Sequence, residues 1–405
     1  MINLTQAKIE SALRSYRADI LRFSRDLVAI GSENPPGRQY EACVARIGEE
    51  FERLGLSYES FDAPSKTDEN ETRANLLSFV GSGQRVVYFH GHYDVVPAQH
   101  ERQFRPYVQD GFLYGRGSTD MKAGLAAMMY AAFLLRELEL PLKGRVGLCF
   151  VADEETGGQG GSHYLEQIGV LGQDGMAMLT MEPTSGVVWN ANRGAITLKV
   201  TVKGKSAHVG LQHQGVNAFE QMLKVATELQ SLKAEIEPRR THYRIKPPEA
   251  AHSILMLGGV VQGGANFNVV PEHCSFTLDR RFNPEEQFET EKARLLAVLE
   301  ACKREGVELE VEVLQEGIAS GVEEQHPVAQ VLAETIESVT GTRPAFEMCP
   351  GLLETRWYAK KGIPAFAYGP GLLECAHGPE ERIEIERIYE HTVIYALTAA
   401  RLLRA

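Results

Sequence analysis

The chain lacks any apolar run long enough to cross a bilayer: the longest, residues 123–135, falls well short of the roughly 20 residues that a membrane helix needs. It also lacks a basic run. With a formal net charge of −12, neither nucleic acid nor an anionic membrane surface is an expected partner. Cysteine is sparse: Cys43, Cys149, Cys274, Cys302, Cys349 and Cys375 lie far apart with no CxxC spacing. That pattern suggests neither a disulfide framework nor a thiolate zinc site, and a reducing cytoplasm is the expected location. The first residues scatter their charges and contain no apolar core followed by small residues, so they do not read as a secretory signal. Internal repeats and low-complexity segments are absent as well.

What is present is an ordinary globular composition, 43% hydrophobic and 24% charged, over 405 residues, a length at which two domains are expected. Helical periodicity covers residues 5–30 and 40–54, the latter ended by Gly55. Strand-like runs at 75–80, 85–89, 145–152 and 176–181 alternate with a strongly helical segment at 121–138 that Asp120 opens. The expected fold is therefore α/β, with a mixed, largely parallel sheet. Near Arg193 the pattern changes to that of a small α+β domain: strand 195–202, helix 217–232, strands 253–257 and 274–278, helix 286–305 and strand 308–314. After Gly317 the α/β style resumes with helices at 328–339 and 384–403 around a short strand at 365–368. The division expected is residues 1–192 with 317–405 as one domain and 193–316 inserted into it.

The stretch VADEETGG, residues 151–158, ends an apolar strand in three adjacent carboxylates, Asp153, Glu154 and Glu155. Such crowding is costly to desolvate unless a positive charge sits there, although a solvated turn would also explain it. His92 and Asp94 follow the strand at 85–89 and share a face in extended chain, so the carboxylate could orient the imidazole for a metal. Surface loops also produce HxD. Asp120 falls at a helix start, where an N-cap is the commoner use of aspartate, and its loop matches neither GxxxxGK[ST] nor GxGxxG. Glu182 precedes a turn proline and His377 lies in a loop, so each has an ordinary reading too. Their placement is less ordinary: His92, Asp120, Glu155 and Glu182 each stand where a buried strand ends or a helix begins, on the side where α/β sheets build their sites.

The motifs GHYDVVP (91–97), GRGSTDMKAG (115–124), VADEETGG (151–158), MEPT (181–184), KGKSAHVG (203–210), NVVP (268–271) and AHGPEE (376–381) come in succession. Together they resemble the dinuclear zinc deacylases and exopeptidases, the group of acetylornithine deacetylase, succinyl-diaminopimelate desuccinylase, aminoacylase and carboxypeptidase G. The resemblance covers the chain from about residue 20 onward. It implies two zinc ions per chain, with cobalt able to substitute: His92 and Glu182 on one, Glu155 and His377 on the other, and Asp120 bridging. Four positive charges against three ligand carboxylates leave room for one bridging hydroxide, the nucleophile. Glu154 would be the general base and Asp94 the residue behind His92. The inserted domain would act as a dimerisation or lid domain, making the protein a homodimer in which His208 polarises the scissile carbonyl in the partner subunit's site. Asn268, Arg281 and Arg356 match substrate contacts, and either arginine could instead be a surface ion pair.

The function implied is hydrolysis of the amide bond of N-acyl amino acids, with a dipeptidase or carboxypeptidase on the same site as the alternative. A noncatalytic binding protein is a third reading, opposed by the presence of both Glu154 and His208. Glu182-Pro183-Thr184 resembles the deacetylase and desuccinylase branch. Asn192-Arg193-Gly194 and Glu354-Thr355 depart from the family's usual residues and leave the acyl group open.

Overall fold

The computed structural model describes residues 2–64 and 72–404. Strand Val86–His92 is buried along its whole length. Val87 and Phe89 enter a core on one side of the sheet, Val86 and Tyr88 a core on the other. Strand Gly144–Val151 divides likewise, with Val146, Leu148 and Phe150 on the first side and Cys149 and Val151 on the second. A strand covered on both faces has no polar side, which is why these segments appear as unbroken apolar runs.

The sheet runs Tyr58–Pro64, Thr72–Ser82, Gly144–Val151, Val86–His92, Gly175–Thr180, Ala365–Ala367, then Val188–Asn192. Pairing is parallel from Gly144–Val151 through Ala365–Ala367 and antiparallel at both flanks. This is the mixed α/β sheet expected from the sequence. Helices Ile2–Val28, Ala123–Glu137, Pro327–Thr340 and Ile385–Leu402 pack together on one face. Helix Ala123–Glu137 is buried on every side from Ala123 to Leu135, which its all-round apolar sequence requires. Among the described residues, no helix is long and apolar enough to cross a membrane.

The helix expected to begin at Met121 begins at Ala123. Asp120 (φ −127°, ψ 95°) and Met121 (φ −132°, ψ 29°) are not helical, so Asp120 is not an N-cap and its carboxylate is free to face elsewhere. Also unforeseen are the half-exposed edge strand Tyr58–Pro64 and a small sheet of Arg382–Glu384, Phe112–Tyr114 and Tyr107–Gln109.

The chain forms two compact units. The first comprises Met1–Asn190, Val322–Phe346 and Trp357–Ala405, and the second Ala191–Gly321 with Glu347–Arg356. Residues Glu347–Arg356 join the second because Met348 N–H donates to the Arg244 carbonyl (2.6 Å) and Arg193 N–H to that of Gly351 (3.2 Å). Met348 also packs with Ala191, Ile245 and Ala251. The second unit is an antiparallel sheet, ordered Ile254–Gly263, His273–Phe282, Gly194–Lys203, Leu309–Gly317. Helices Ala218–Ile236 and Phe288–Arg304 bury one of its faces. Asn217 starts the first of these by accepting from Phe219 N–H at 3.0 Å. Edge strand Ile254–Gly263 leaves Met256, Val260 and Val261 in solvent.

Buried Glu50 ties helix Tyr40–Arg53 to its neighbours. It accepts from Arg22 (3.1 Å), Arg46 (2.7 Å), Arg53 (2.6 Å) and the Tyr130 hydroxyl (2.6 Å). Burial works against its charge, but these donors outweigh it and bring the carboxyl down to about 2 from an ordinary 4.5. A group depressed in this way stabilises the fold above its unfolded pKa and loses that contribution as pH falls toward the folded one. Glu50→Gln should therefore cost roughly 2 kcal/mol at neutral pH. In thermal melts the gap from the parent protein should close as pH drops from about 4.5 toward 2; a gap that does not depend on pH would refute the ion-pair account.

Candidate metal centre

Three parallel strands deliver carboxylates and an imidazole to one end of the first unit's sheet. His92 closes Val86–His92. Gly144–Val151 runs on through Ala152 and Asp153 into the short turn Glu154–Thr156, and Gly175–Thr180 runs on through Met181 to Glu182. Asp120 comes from the irregular turn Ser118–Lys122. His377 follows the turn Leu373–Cys375 with a φ of +60°, a left-handed backbone that a non-glycine residue adopts only where its surroundings hold it.

His92 Nε2 lies 3.2 Å from Asp120 Oδ1 and 4.0 Å from Glu182 Oε1. His377 Nε2 lies 3.2 Å from Asp120 Oδ2 and 3.4 Å from Glu155 Oε1. The two oxygens of Asp120 thus face two different groups, His92 with Glu182 and Glu155 with His377. Within each group the ligand atoms lie within 4.8 Å of one another. Glu182 Oε1 is buried and takes no hydrogen bond, although a buried carboxylate oxygen ordinarily finds a donor. Imidazole nitrogen and carboxylate oxygen are donors that suit zinc, and an orphaned oxygen aimed among them fits a cation.

The charges point the same way. Five carboxylates, Asp94, Asp120, Glu154, Glu155 and Glu182, crowd two imidazoles. Burial opposes charge on His92, yet Asp120 and Asp94 hold its imidazolium form well above the usual range. Asp120, and after it Glu155, lift His377 to about 10. Burial lifts Glu182 far above the carboxylate range, and the charge on Asp120 adds to this. Burial would also raise Asp120, but its contacts with both imidazoles hold it down. Glu154 bears electrostatically on both His92 and Glu182. The cluster holds more negative charge than its own histidines can balance.

Asp94 has a larger task than orienting an imidazole. The nearer partner of His92 Nδ1 is the Asp94 backbone carbonyl, at 3.0 Å, while the carboxylate stands at 3.4 Å. That carboxylate accepts from Asn34 Nδ2 (2.8 Å) and from the backbone N–H groups of Glu154 (3.2 Å) and Glu155 (3.1 Å). It therefore fixes the turn that carries the adjacent glutamates. Asp153, to which the sequence assigned no role, accepts from Arg73, the Tyr40 hydroxyl and Gly160 N–H, so it braces the turn from behind. Glu381 was also missed. It accepts from the N–H groups of Gly117 (3.0 Å), Thr119 (3.0 Å) and Asp120 (3.2 Å) and pairs with buried Arg116. The only sequence signal for it is its presence in AHGPEE.

The other singled-out residues belong to the second unit. His208 is exposed, pairs across Val269, and accepts Gly210 N–H on Nδ1 at 3.1 Å. Asn268 is half-buried, and its carbonyl accepts Val209 N–H at 3.0 Å. Arg281 is held by Asp279 (3.0 Å) and Gln315 (3.3 Å), and buried Arg356 pairs with Glu354 at 3.2 Å.

The profile of the family described as peptidase family M20/M25/M40 matches residues 88–401. A probable succinyl-diaminopimelate desuccinylase of Staphylococcus epidermidis is 32% identical over 292 residues, covering 66% of this chain and 68% of that one. The succinyl-diaminopimelate desuccinylase of Methylorubrum extorquens is 26% identical over 363 residues, covering 86% and 90%. Among solved structures, an M20 family metallo-carboxypeptidase from Sulfolobus solfataricus shares the fold with a TM-score of 0.77 at 16% identity, over 94% of this chain and 98% of that one.

The two adjacent glutamates should separate in a metal assay. Glu154→Gln should keep the parent protein's metal content, whereas Glu155→Gln should lose about half of it after equilibrium dialysis, because of the two only Glu155 belongs to a candidate ligand group. Equal losses in the two variants would mean that the division of labour is wrong.

Proposed function

Since the chain belongs to the peptidase family M20/M25/M40 and is a hydrolase of amide bonds, we propose that it removes the acyl group from N-acyl amino acids at a two-zinc centre. The observation that carries this reading is Asp120, whose two oxygens face two ligand groups beside an adjacent glutamate that lies in neither. His92, Asp120 and Glu182 would hold one ion and Asp120, Glu155 and His377 the other. When bound, the ions supply Lewis acidity toward the scissile carbonyl and the attacking water.

The protein's own groups account for the proton path. Glu154 takes a proton from the water as its oxygen bonds to the carbonyl carbon, and returns it to the amide nitrogen as the C–N bond breaks. The products are a carboxylate and an amine. The Asp94 carboxylate holds the backbone of Glu154 and Glu155, so base and ligand keep a fixed offset. His208 of the partner subunit would donate to the developing oxyanion. A homodimer is supported by the apolar edge strand Ile254–Gly263, since an exposed apolar edge is a ready surface for pairing with a second copy.

A hydrolysis panel of N-acetyl, N-succinyl and N-formyl amino acids beside dipeptides tests the substrate class. Turnover should be confined to acylated amino acids, vanish on chelation, return with zinc or cobalt, and fall about 10²-fold or more in Glu154→Gln. Preference for dipeptides would replace this reading with the peptidase one.

Mixing inactive Glu154→Gln and His208→Ala proteins tests the in-trans role. In a mixed dimer one site carries both lesions and the other neither. Free exchange makes about half the dimers mixed, so activity should recover to roughly a quarter of wild type. No recovery after verified exchange would confine His208 to its own chain.

A further inference from the structure

Arg116 and Glu381 form a buried ion pair, with side chains 1% and 0% exposed, that touches both halves of the centre. Glu381 Oε1 gathers the N–H groups of Gly117, Thr119 and Asp120, holding the turn that carries Asp120. Glu381 Oε2 pairs with Arg116, whose other terminal nitrogen donates to the His377 carbonyl at 3.2 Å. Glu381 and His377 also share one loop, and Gly115 N–H donates to the Glu381 carbonyl at 2.9 Å. A ring of hydrogen bonds thus closes from His377 through Arg116 and Glu381 to Asp120.

The two ligand groups depend on this ring unequally. His92 sits in a buried strand and is fixed by the Asp94 carbonyl, while Glu182 is fixed at the end of an interior strand. His377 has a side chain 51% exposed on a loop outside the main sheet. Besides Arg116, Gln103 donates to the Gly378 carbonyl at 3.0 Å, Thr119 Oγ1 to that of Arg382 at 2.6 Å and Ser185 Oγ to the Glu374 carboxylate at 3.3 Å. An imidazole on such a loop has to be brought to its metal at each binding event, and pre-positioning removes that cost.

We propose that the Arg116–Glu381 pair is a positioning brace that sets His377 against Asp120, and so governs loading of the second metal ion without touching it. The guanidinium suits the task because its planar fork serves Glu381 and the His377 carbonyl at once, which a lysine ammonium does less well. The proposal rests on the two-metal reading of the centre.

Stepwise zinc titration of chelator-stripped protein by calorimetry tests it, with zinc alone as the probe. The parent protein should show two steps; failure to do so would reject the two-metal reading itself. In Glu381→Gln the dissociation constant of the weaker step should rise roughly 10- to 100-fold, while the tighter step stays within about threefold. Arg116→Lys should move the weaker step in the same direction by less, and it decides the matter if Glu381→Gln does not fold by near-ultraviolet circular dichroism. An unchanged weaker step, or equal weakening of both steps in a folded variant, would overturn the brace.

Discussion

Everything at the carboxyl end of the first unit's sheet answers to one electrostatic constraint. Carboxylates have been collected where water is scarce, and each raises the free energy of the next. Two histidines, wedged at about 3.2 Å on either side of Asp120, ease the strain without removing it. The strongly shifted ionisations of His92, Glu182 and His377 record the residue of that imbalance. Perturbed groups of this kind, gathered in one place, mark functional sites more often than structural ones.

Holding such a cluster together calls for a rigid frame, and the frame is made of backbone donors. The turn bearing Glu154 and Glu155 hangs from the Asp94 carboxylate, and the turn bearing Asp120 hangs from the Glu381 carboxylate. Each of these buried acids spends its charge on peptide N–H groups and so stays out of the ligand set. The cluster therefore contains two kinds of carboxylate, those that shape the chain and those that face the centre. Asp153, bound to Arg73 and Tyr40, is of the first kind although it adjoins members of the second.

How much of this was legible in the sequence follows from the range of the interactions. The central strands were legible because burial on both faces writes an uninterrupted apolar run into ten or fewer residues. Among the candidate ligands, His92, Glu155 and Glu182 were legible because each follows such a run inside a recognisable motif, Asp120 because it opens a helical pattern, and His377 through its motif alone. The motif resemblance and the matched family agree. The edge strand Tyr58–Pro64, exposed or half-exposed everywhere but Ala63, left no such trace. Asn34, Arg73 and Glu381 act on partners that lie 60, 80 and 261 or more positions away, and no local pattern encodes a partner at that separation. The helix start at 121 was misplaced for the same reason: Glu381, distant in sequence, gathers the N–H groups of Gly117, Thr119 and Asp120 and holds that turn out of helical geometry. The assignment of Glu347–Arg356 also failed at long range, through its bonds to Arg244 and Arg193.

The sheet order carries a consequence for biosynthesis. A ribosome releases His92, Asp120, Glu155 and Glu182 early, but strand Ala365–Ala367, which pairs with Gly175–Thr180, and helix Ile385–Leu402, which packs on Ala123–Glu137, emerge only after the whole second unit has been made. Until then the nascent first unit has an unpaired strand edge and a helix with one apolar flank uncovered, the surfaces on which chaperones act and aggregates form. His377 arrives in that same later segment, so the cluster is completed only after the second unit has been made. A chain made only that far carries all of one candidate ligand group, His92, Asp120 and Glu182, and lacks the imidazole of the other.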